Sequence, residues 1–452
     1  MRIGSKVHIV GGGLAGSEAA WQLLSAGIPV VLHEMRPVKM TEAHKTGGLA
    51  ELVCSNSFKA QGSDSASGCL KEEMLALDSL IINSGLKASV PAGKALAVDR
   101  ILLSEYVSEK LSQFAHFTKI EEEVTSIPTL QQLEKTDEYW LIASGPLTHG
   151  DLYQQLLALC GEMKNLYFYD AIAPVIAADT INRDFCFKAD RYQKDGEKEG
   201  DYLNLPLSKE QYEEFIDDIL KAEMSPLHNF EKANYFEACL PIEVMAERGK
   251  ETLRFGPLKP VGLVDPSTGK EAHACIQLRC ENKDETMYSM VGFQTKMKWG
   301  EQKRIFSKIP ALAEAEFLRF GSIHRNTYVE SPKVLNKDFS FKSNSRVFLA
   351  GQLTGVEGYV ESAAIGLLAA RVIAARCLHK DYSLPPPTTM MGALAHYVLA
   401  GSAGEFSPMN INLGLLPPYV APKRMGRADR RLKQCERSQE DFQAWKQSVV
   451  VN

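Results

Sequence analysis

Lys6-Val7-His8-Ile9-Val10-Gly11-Gly12-Gly13-Leu14-Ala15-Gly16 runs a short apolar strand straight into a glycine turn. Gly11, Gly13 and Gly16 spell G-x-G-x-x-G, a helix pattern follows from Ser17 to Ala26, and Gly27 stops it. A second apolar strand, Val30-Val31-Leu32-His33, ends in Glu34. Strand, glycine turn, helix, strand and terminal acid in this order predict a complete βαβ nucleotide-binding unit. Gly11 permits the tight turn, Gly13 lets the backbone approach a pyrophosphate, and Gly16 allows close helix–strand packing. Gly12, Leu14 and Ala15 complete the turn and count with the cofactor-binding residues. The pyrophosphate belongs at the helix N-terminus, where N–H groups and the dipole favour an anion. Glu34 is placed to accept hydrogen bonds from a ribose hydroxyl. An acid there disfavours a 2′-phosphate, so FAD or NAD fits better than NADP.

Two later stretches have the same character. Tyr139-Trp-Leu-Ile-Ala-Ser-Gly145-Pro146 is an apolar strand ending in small residues. Arg346-Val-Phe-Leu-Ala-Gly351-Gln352 is another, and it continues through Gly355, Glu357 and Gly358 into a small-residue helix expected over Ser362–Arg376. Gly145, Gly351, Gln352 and Glu357 join the candidate cofactor residues, with a helix N-terminus aimed at the ligand. Markers at both ends and a long middle predict a discontinuous α/β fold: a Rossmann-like FAD-binding domain in two parts, 1–150 and 326–452, interrupted by an inserted α/β substrate domain over 151–325. Leu70–Ser84 has helical apolar spacing, a helix is expected over Ile101–Leu111, and Ser208–Lys221 reads as an amphipathic helix from a serine cap.

The 452 residues allow two or three domains, and 45% hydrophobic with 24% charged residues is ordinary for a globular protein. A net charge of −5 does not advertise nucleic acid, so any RNA contact must come from a local patch. Nine cysteines without C-x-x-C spacing argue against a disulfide framework and for a reducing compartment. No apolar run reaches the length of a membrane span, and the first strand starts too close to Met1 for a leader. The expectation is a cytoplasmic protein with no membrane or metal partner.

Two cysteines stand in contexts suited to chemistry. Cys54 lies among small hydroxyl and amide residues in Val53-Cys54-Ser55-Asn56-Ser57. Cys239 lies in Phe236-Glu237-Ala238-Cys239-Leu240-Pro241 with Glu237 and Glu243 near it. A thiolate adds to an electron-poor carbon such as C6 of uracil, given a lowered pKa or a neighbouring base. The bland alternative for either is a small buried hydrophobe. The other seven cysteines have no comparable context.

Ordered along the chain are Gly11–Gly16, His33-Glu-Met-Arg-Pro37, Leu52-Val-Cys54-Ser-Asn56, Val90-Pro-Ala-Gly93, Phe236-Glu-Ala-Cys239-Leu-Pro241, Phe255-Gly-Pro257, Lys259-Pro-Val-Gly-Leu-Val-Asp-Pro266, Val291-Gly-Phe-Gln-Thr295 and His324-Arg-Asn-Thr-Tyr328. In this order and spacing the chain resembles the TrmFO family of folate- and FAD-dependent tRNA uracil-C5 methyltransferases, relatives of the GidA flavoproteins. The resemblance implies methylation of the T-loop uridine, position 54, of tRNA. Methylenetetrahydrofolate would supply the carbon, reduced FAD two electrons, and NAD(P)H the re-reduction. It further implies functional cysteines at Cys54 and Cys239. Cys239, in the inserted domain, is expected to attack C6. Cys54 is expected on the flavin side, protecting or positioning the reactive centre or moving a proton.

A target base leaves its stack to react, and Tyr328, Trp299 and Tyr359 are candidates to receive it, although plain packing explains each as well. His324-Arg325 is a candidate for a phosphate or the folate tail, or a structural pair. RNA phosphates are expected at Lys423, Arg424, Arg427, Arg430, Arg431 and Lys433, a run with one acid, which also suits a solvated helix face. Lys296, Lys298, Lys303 and Arg304 form a smaller patch. Four other readings fit the sequence: the same chemistry on 23S ribosomal RNA, a GidA-type enzyme of the wobble uridine, an NAD(P)H-dependent flavin oxidoreductase for a small molecule, and a redox-sensing flavoprotein that binds RNA without catalysis. The wobble-uridine family carries a longer C-terminal helical region.

Overall fold

A computed structural model of the chain describes residues 5–161, 166–191, 200–225, 240–401, 406–420 and 425–450. Lys6–Val10 pairs in parallel with Val30–His33 on one side and Glu138–Ile142 on the other, so Val7 faces both Val30 and Tyr139. Phe117–Ile120 and Asn344–Leu349 extend the sheet in parallel at either side, and Ser340–Phe341 closes one edge antiparallel as the sixth strand. Val30–His33 is buried along its whole length, as a strand covered by helices on both faces must be.

The first helix, Leu14–Ser25, starts three residues before the sequence pattern suggests. Gly13 is its N-cap in extended backbone, so Leu14, Ala15 and Gly16 are already its first turn. A β-carbon at Gly16 would collide with the Gly11 carbonyl oxygen, and one at Gly366 with that of Ala15. These two glycines let the helix close on the turn and let Tyr359–Cys377 close on the helix.

The chain leaves this sheet after Ile142 and returns at Ser340. Between them a second six-stranded sheet forms in the spatial order Phe187–Lys188, Leu203–Leu207, Ala274–Cys280, Met287–Met290, Val175–Ala177, Phe317–Arg319, with all pairings antiparallel. Lys209–Lys221 covers it. Ser208 and Gln211 form the capping box of this helix, and Tyr212, Phe215, Ile216 and Ile219 point into the second of two large hydrophobic cores. The strand pair Leu166–Ile172 and Ser322–Tyr328 runs between the two parts. The fold is an interrupted α/β Rossmann-like one, as the sequence markers predict.

The helical stretch expected over Leu70–Ser84 is two helices, Ala66–Ala76 and Leu80–Lys87. The chain breaks at Asp78, with φ +58°. The cause is remote: the buried carboxylate of Glu18, on the first helix, accepts from the Ser79 hydroxyl at 2.7 Å and the N–H groups of Ile81 at 2.9 Å and Leu80 at 3.3 Å. A carboxylate fixed there satisfies the N-terminal donors and complements the dipole.

Glu73 does the same for the C-terminal helices. Its carboxylate accepts from the N–H groups of Met390 at 2.9 Å and Met391 at 2.7 Å and from the Ser438 hydroxyl at 2.8 Å. It thereby ties Ala66–Ala76 to Met390–Ala400 and to Arg427–Val450. Burial pushes the Glu73 carboxyl up from 4.5 to about 7. A raised folded-state value means that the contribution to stability is complete below pH 4.5 and is lost as pH rises through 7. Relative to Glu73→Gln, the wild type should lose unfolding free energy over that interval in denaturant titrations. A constant difference between the two proteins across it would contradict this assignment.

Candidate functional site

A cavity of about 360 Å³, within the range of small-ligand sites, opens at the carboxyl ends of the parallel strands. Gly11, Gly13, Leu14 and Ala15 line it from the glycine turn, Glu34 and Arg36 from beyond the second strand, and Gly145 from beyond Glu138–Ile142. Gly351, Gln352, Glu357 and Tyr359 line it from the segment after Asn344–Leu349. Open α/β sheets bind ligands at this end. Two helices, Leu14–Ser25 and Tyr359–Cys377, begin at the cavity with glycine N-caps, Gly13 and Gly358, and no side-chain cap. Their first-turn N–H groups have no intrahelical acceptors. Apart from its chain neighbours and its own helix, no atom of the described residues lies within 4 Å of where a β-carbon of Gly13 would stand. The turn thus leaves donors and space where a pyrophosphate needs both. Gly12 and Gly16 do not line the cavity: Gly12 donates its N–H to Glu34 at 2.8 Å, and Gly16 packs inside the unit.

Glu34 is at the wall but heavily engaged. One oxygen accepts from the backbone N–H of Arg36 at 3.0 Å and its Nε at 2.9 Å; the other accepts from Gly12 and from Arg36 Nη2 at 3.1 Å. Arg36 also reaches Glu51 at 2.8 Å. Burial pushes the Glu34 carboxyl up, but Arg36 and the Gly12 N–H outweigh it and hold it below the usual range. The four lone-pair positions are filled, so a ribose hydroxyl reaches Glu34 by displacing one of these donors. Sequence spacing finds Glu34; it does not reveal Arg36 as the partner. Across the cavity, the Gln352 amide donates to Glu357 at 2.6 Å.

Cys54 lies on the same wall, half-buried and in no disulfide. Its loop is held from several elements. The Tyr359 hydroxyl accepts the N–H groups of Cys54 at 2.8 Å and Ser55 at 3.2 Å. Burial, then the nearby Cys54 thiol, push the Tyr359 hydroxyl above the ordinary phenol range. The Asn56 amide donates to the carbonyl oxygens of Val98 at 3.1 Å and Cys280 at 3.0 Å. Lys59, also on the cavity wall, pairs with buried Glu361 at 2.5 Å and donates to Asn410 at 2.6 Å.

Cys239, Lys423 and Arg424 lie outside the described residues, as do the side chains of His324, Arg325 and Arg427. Arg430, Arg431 and Lys433 lie exposed on Arg427–Val450. Lys433 pairs with Glu436; Arg430 and Arg431 make no ion pair among the described residues. The smaller basic patch is partly neutralised: Lys298 pairs with Glu223 at 2.7 Å, and Arg304 with Asp218 at 2.9 Å and Glu301 at 2.7 Å. Of the aromatic candidates, Tyr359 faces the cavity and Tyr328 packs with Phe406. Trp299 is 65% exposed and stacks on Phe320. Among the described residues no acid, histidine or cysteine cluster is arranged to hold a metal, and no helix is long and apolar enough to cross a membrane.

Glycine turn, second helix N-terminus and cysteine loop on one cavity define an α/β dinucleotide-binding protein with an inserted antiparallel-sheet domain. The family model described as "Glucose inhibited division protein A" matches residues 6–381. Two proteins described as methylenetetrahydrofolate–tRNA-(uracil-5-)-methyltransferase TrmFO are near relatives. The one from Geobacter sulfurreducens is 49% identical over 98% of this chain and 99% of its own length. The one from Desulforudis audaxviator is 48% identical over 97% and 98%. GidA of Aquifex aeolicus, a solved structure, shares the fold at a TM-score of 0.69 and 15% identity, over 98% of this chain and 74% of that one. The chain belongs to the GidA family and, within it, to the TrmFO methyltransferases.

Tyr359→Phe removes the acceptor of two backbone donors in the Cys54 loop. Unfolding free energy should fall by about 1–3 kcal/mol; unchanged stability would mean that the loop does not depend on the hydroxyl.

Proposed function

We propose that the chain methylates C5 of the T-loop uridine, position 54, of tRNA, using methylenetetrahydrofolate, FAD and NAD(P)H. Near-50% identity to TrmFO methyltransferases over almost the full length of both chains carries this reading and favours it over a small-molecule oxidoreductase. The cytoplasm, where tRNA is modified, is the corresponding location.

FAD, when bound, supplies the electrons that take a carbon from the methylene to the methyl level. The residues on the cavity suit it. The N–H groups opening Leu14–Ser25 would hold its pyrophosphate, and Gly11, Gly13, Leu14, Ala15, Gly145, Gly351, Gln352 and Glu357 line the cavity that would take it. Glu34, held by Arg36 and Gly12, would accept a ribose hydroxyl in exchange for one of those donors. Uracil C5 is a poor nucleophile until a thiolate adds at C6. We assign that addition to Cys239: an S–C6 bond forms, the electron pair gained at C5 makes the bond to the one-carbon unit as that carbon's bond to its nitrogen carrier breaks, and the S–C6 bond breaks once C5 has lost its proton. Cys54, on the cavity wall, is assigned to proton transfer or to positioning the reacting carbon. Arg430 and Arg431, with Lys423, Arg424, Arg427 and Lys433, meet the phosphates of the tRNA.

Unmodified tRNA incubated with the FAD-loaded enzyme, methylenetetrahydrofolate and NADPH should yield 5-methyluridine on nucleoside analysis. NADPH consumption with no 5-methyluridine would overturn the reading. Cys239→Ala should abolish the covalent adduct with 5-fluorouridine-containing tRNA, and wild-type adduct yield would move the C6 attack to another residue. Arg430→Gln with Arg431→Gln should make the dependence of log affinity on log salt shallower by about 1.5. An unchanged slope would place the tRNA elsewhere.

A further inference from the structure

The Cys54 loop rests on a buried charge imbalance. Arg100 pairs with Glu281 at 2.7 Å and donates to the carbonyl oxygens of Leu52 at 3.1 Å and Cys54 at 3.4 Å. Arg319, ending the strand Phe317–Arg319, donates to the carbonyl oxygens of Val53 at 2.9 Å, Cys54 at 3.1 Å and Ala173 at 3.4 Å. Arg279 stands 3.9 Å from Glu281. Arg100 and Arg279 therefore share one carboxylate that is 3% exposed, and Arg319, on the same Cys54 carbonyl oxygen as Arg100, has no carboxylate of its own among the described residues. The Nε groups of all three, and Oε1 of Glu281, are buried with no hydrogen-bond partner among the described residues. Excess buried charge of one sign is costly unless a counter-charge is present. Burial, then the neighbouring Arg100, push the Arg319 guanidinium down to about 10.

Arg100 and Arg319 meet at the Cys54 carbonyl oxygen, with Glu281 and Arg279 beyond them and the Tyr359 hydroxyl on the Cys54 N–H. Negative charge at Cys54 favours the charged forms of both Arg100 and Arg319. No other described carboxylate pairs with these arginines.

We infer that Arg100 and Arg319 form a cationic clasp that holds Cys54 as the thiolate at the cavity wall, which makes Arg319 a positioning residue for the step in which Cys54 acts. The inference rests on the assignment of Cys54 to the reaction. The proton lost on forming the thiolate goes to solvent.

The test is the pH profile of Cys54 alkylation by iodoacetamide, read peptide by peptide in the full-length FAD-loaded protein without RNA or folate. The wild-type midpoint should lie below the ~8.5 of an ordinary thiol. Arg319→Met should raise it by about 1 pH unit or more, slowing alkylation about tenfold near neutrality. Arg319→Lys, which keeps the charge, should stay close to wild type. An Arg319→Met midpoint equal to wild type overturns the clasp. If Arg319→Met loses its flavin spectrum, Glu281→Gln decides: removing the competing negative charge should lower the midpoint, and an unchanged or higher one overturns the inference. Shifted midpoints without 5-methyluridine formation would contradict the proposed function and leave the clasp standing. Methylation with unshifted midpoints would do the reverse.

Discussion

The buried pair of Arg100 and Glu281 joins the two sheets, and the loop carrying Cys54 hangs from that joint. Arg100 opens a helix of the nucleotide-binding part, whereas Glu281 follows a strand of the inserted part. Around them, Asn56 bonds to Cys280, the backbone of Lys283 to Asp99, and Arg319 to the carbonyl oxygens of Val53 and Cys54. Removing one member of a buried ion pair costs about 3–5 kcal/mol, because the other is left uncompensated. The relative position of the two sheets is thus set at the residues closest to the proposed chemistry.

The cavity itself depends on backbone more than on side chains. Two helix starts present backbone N–H groups to it, and glycines cap both. Such donors are fixed by the fold and need no rearrangement when an anion arrives. The charged side chains nearby are tied to one another: Glu34 to Arg36, Arg36 to Glu51, Lys59 to Glu361. Pairing holds them in place and keeps each buried charge compensated before a ligand enters.

How far the sequence speaks follows from how local each cause is. The glycine turn is legible because its causes lie within eleven consecutive residues, and Ser208 announces its helix because Gln211 completes a capping box three positions on. The break at Asp78 was not legible: the carboxylate that sets it belongs to Glu18, on another helix. Leu14–Ser25 starts earlier than its apolar period suggests because Gly13 caps it without a side chain, leaving no polar signal to read. Of the site, Gly11, Gly13, Glu34 and Cys54 could be picked out by motif and context. Arg36 lies in His33-Glu-Met-Arg-Pro37, but its role depends on a turn that brings it back on Glu34. Arg319 and Glu281 carry no local sign, since Cys54 and Arg100, which they hold, lie far from them along the chain. Ordered motifs along the whole length, rather than any one of them, made the family recognisable.

The claim on which the account stands is that the new methyl carbon comes from folate and is attached to a tRNA uridine. Its most direct test is the mass of the nucleoside formed when the methylene carbon of methylenetetrahydrofolate carries carbon-13 and two deuteriums. The account predicts 5-methyluridine whose methyl group retains the labelled carbon and both deuteriums, with one further hydrogen. An unlabelled methyl group, or labelled folate recovered unchanged while NADPH is oxidised, would contradict it.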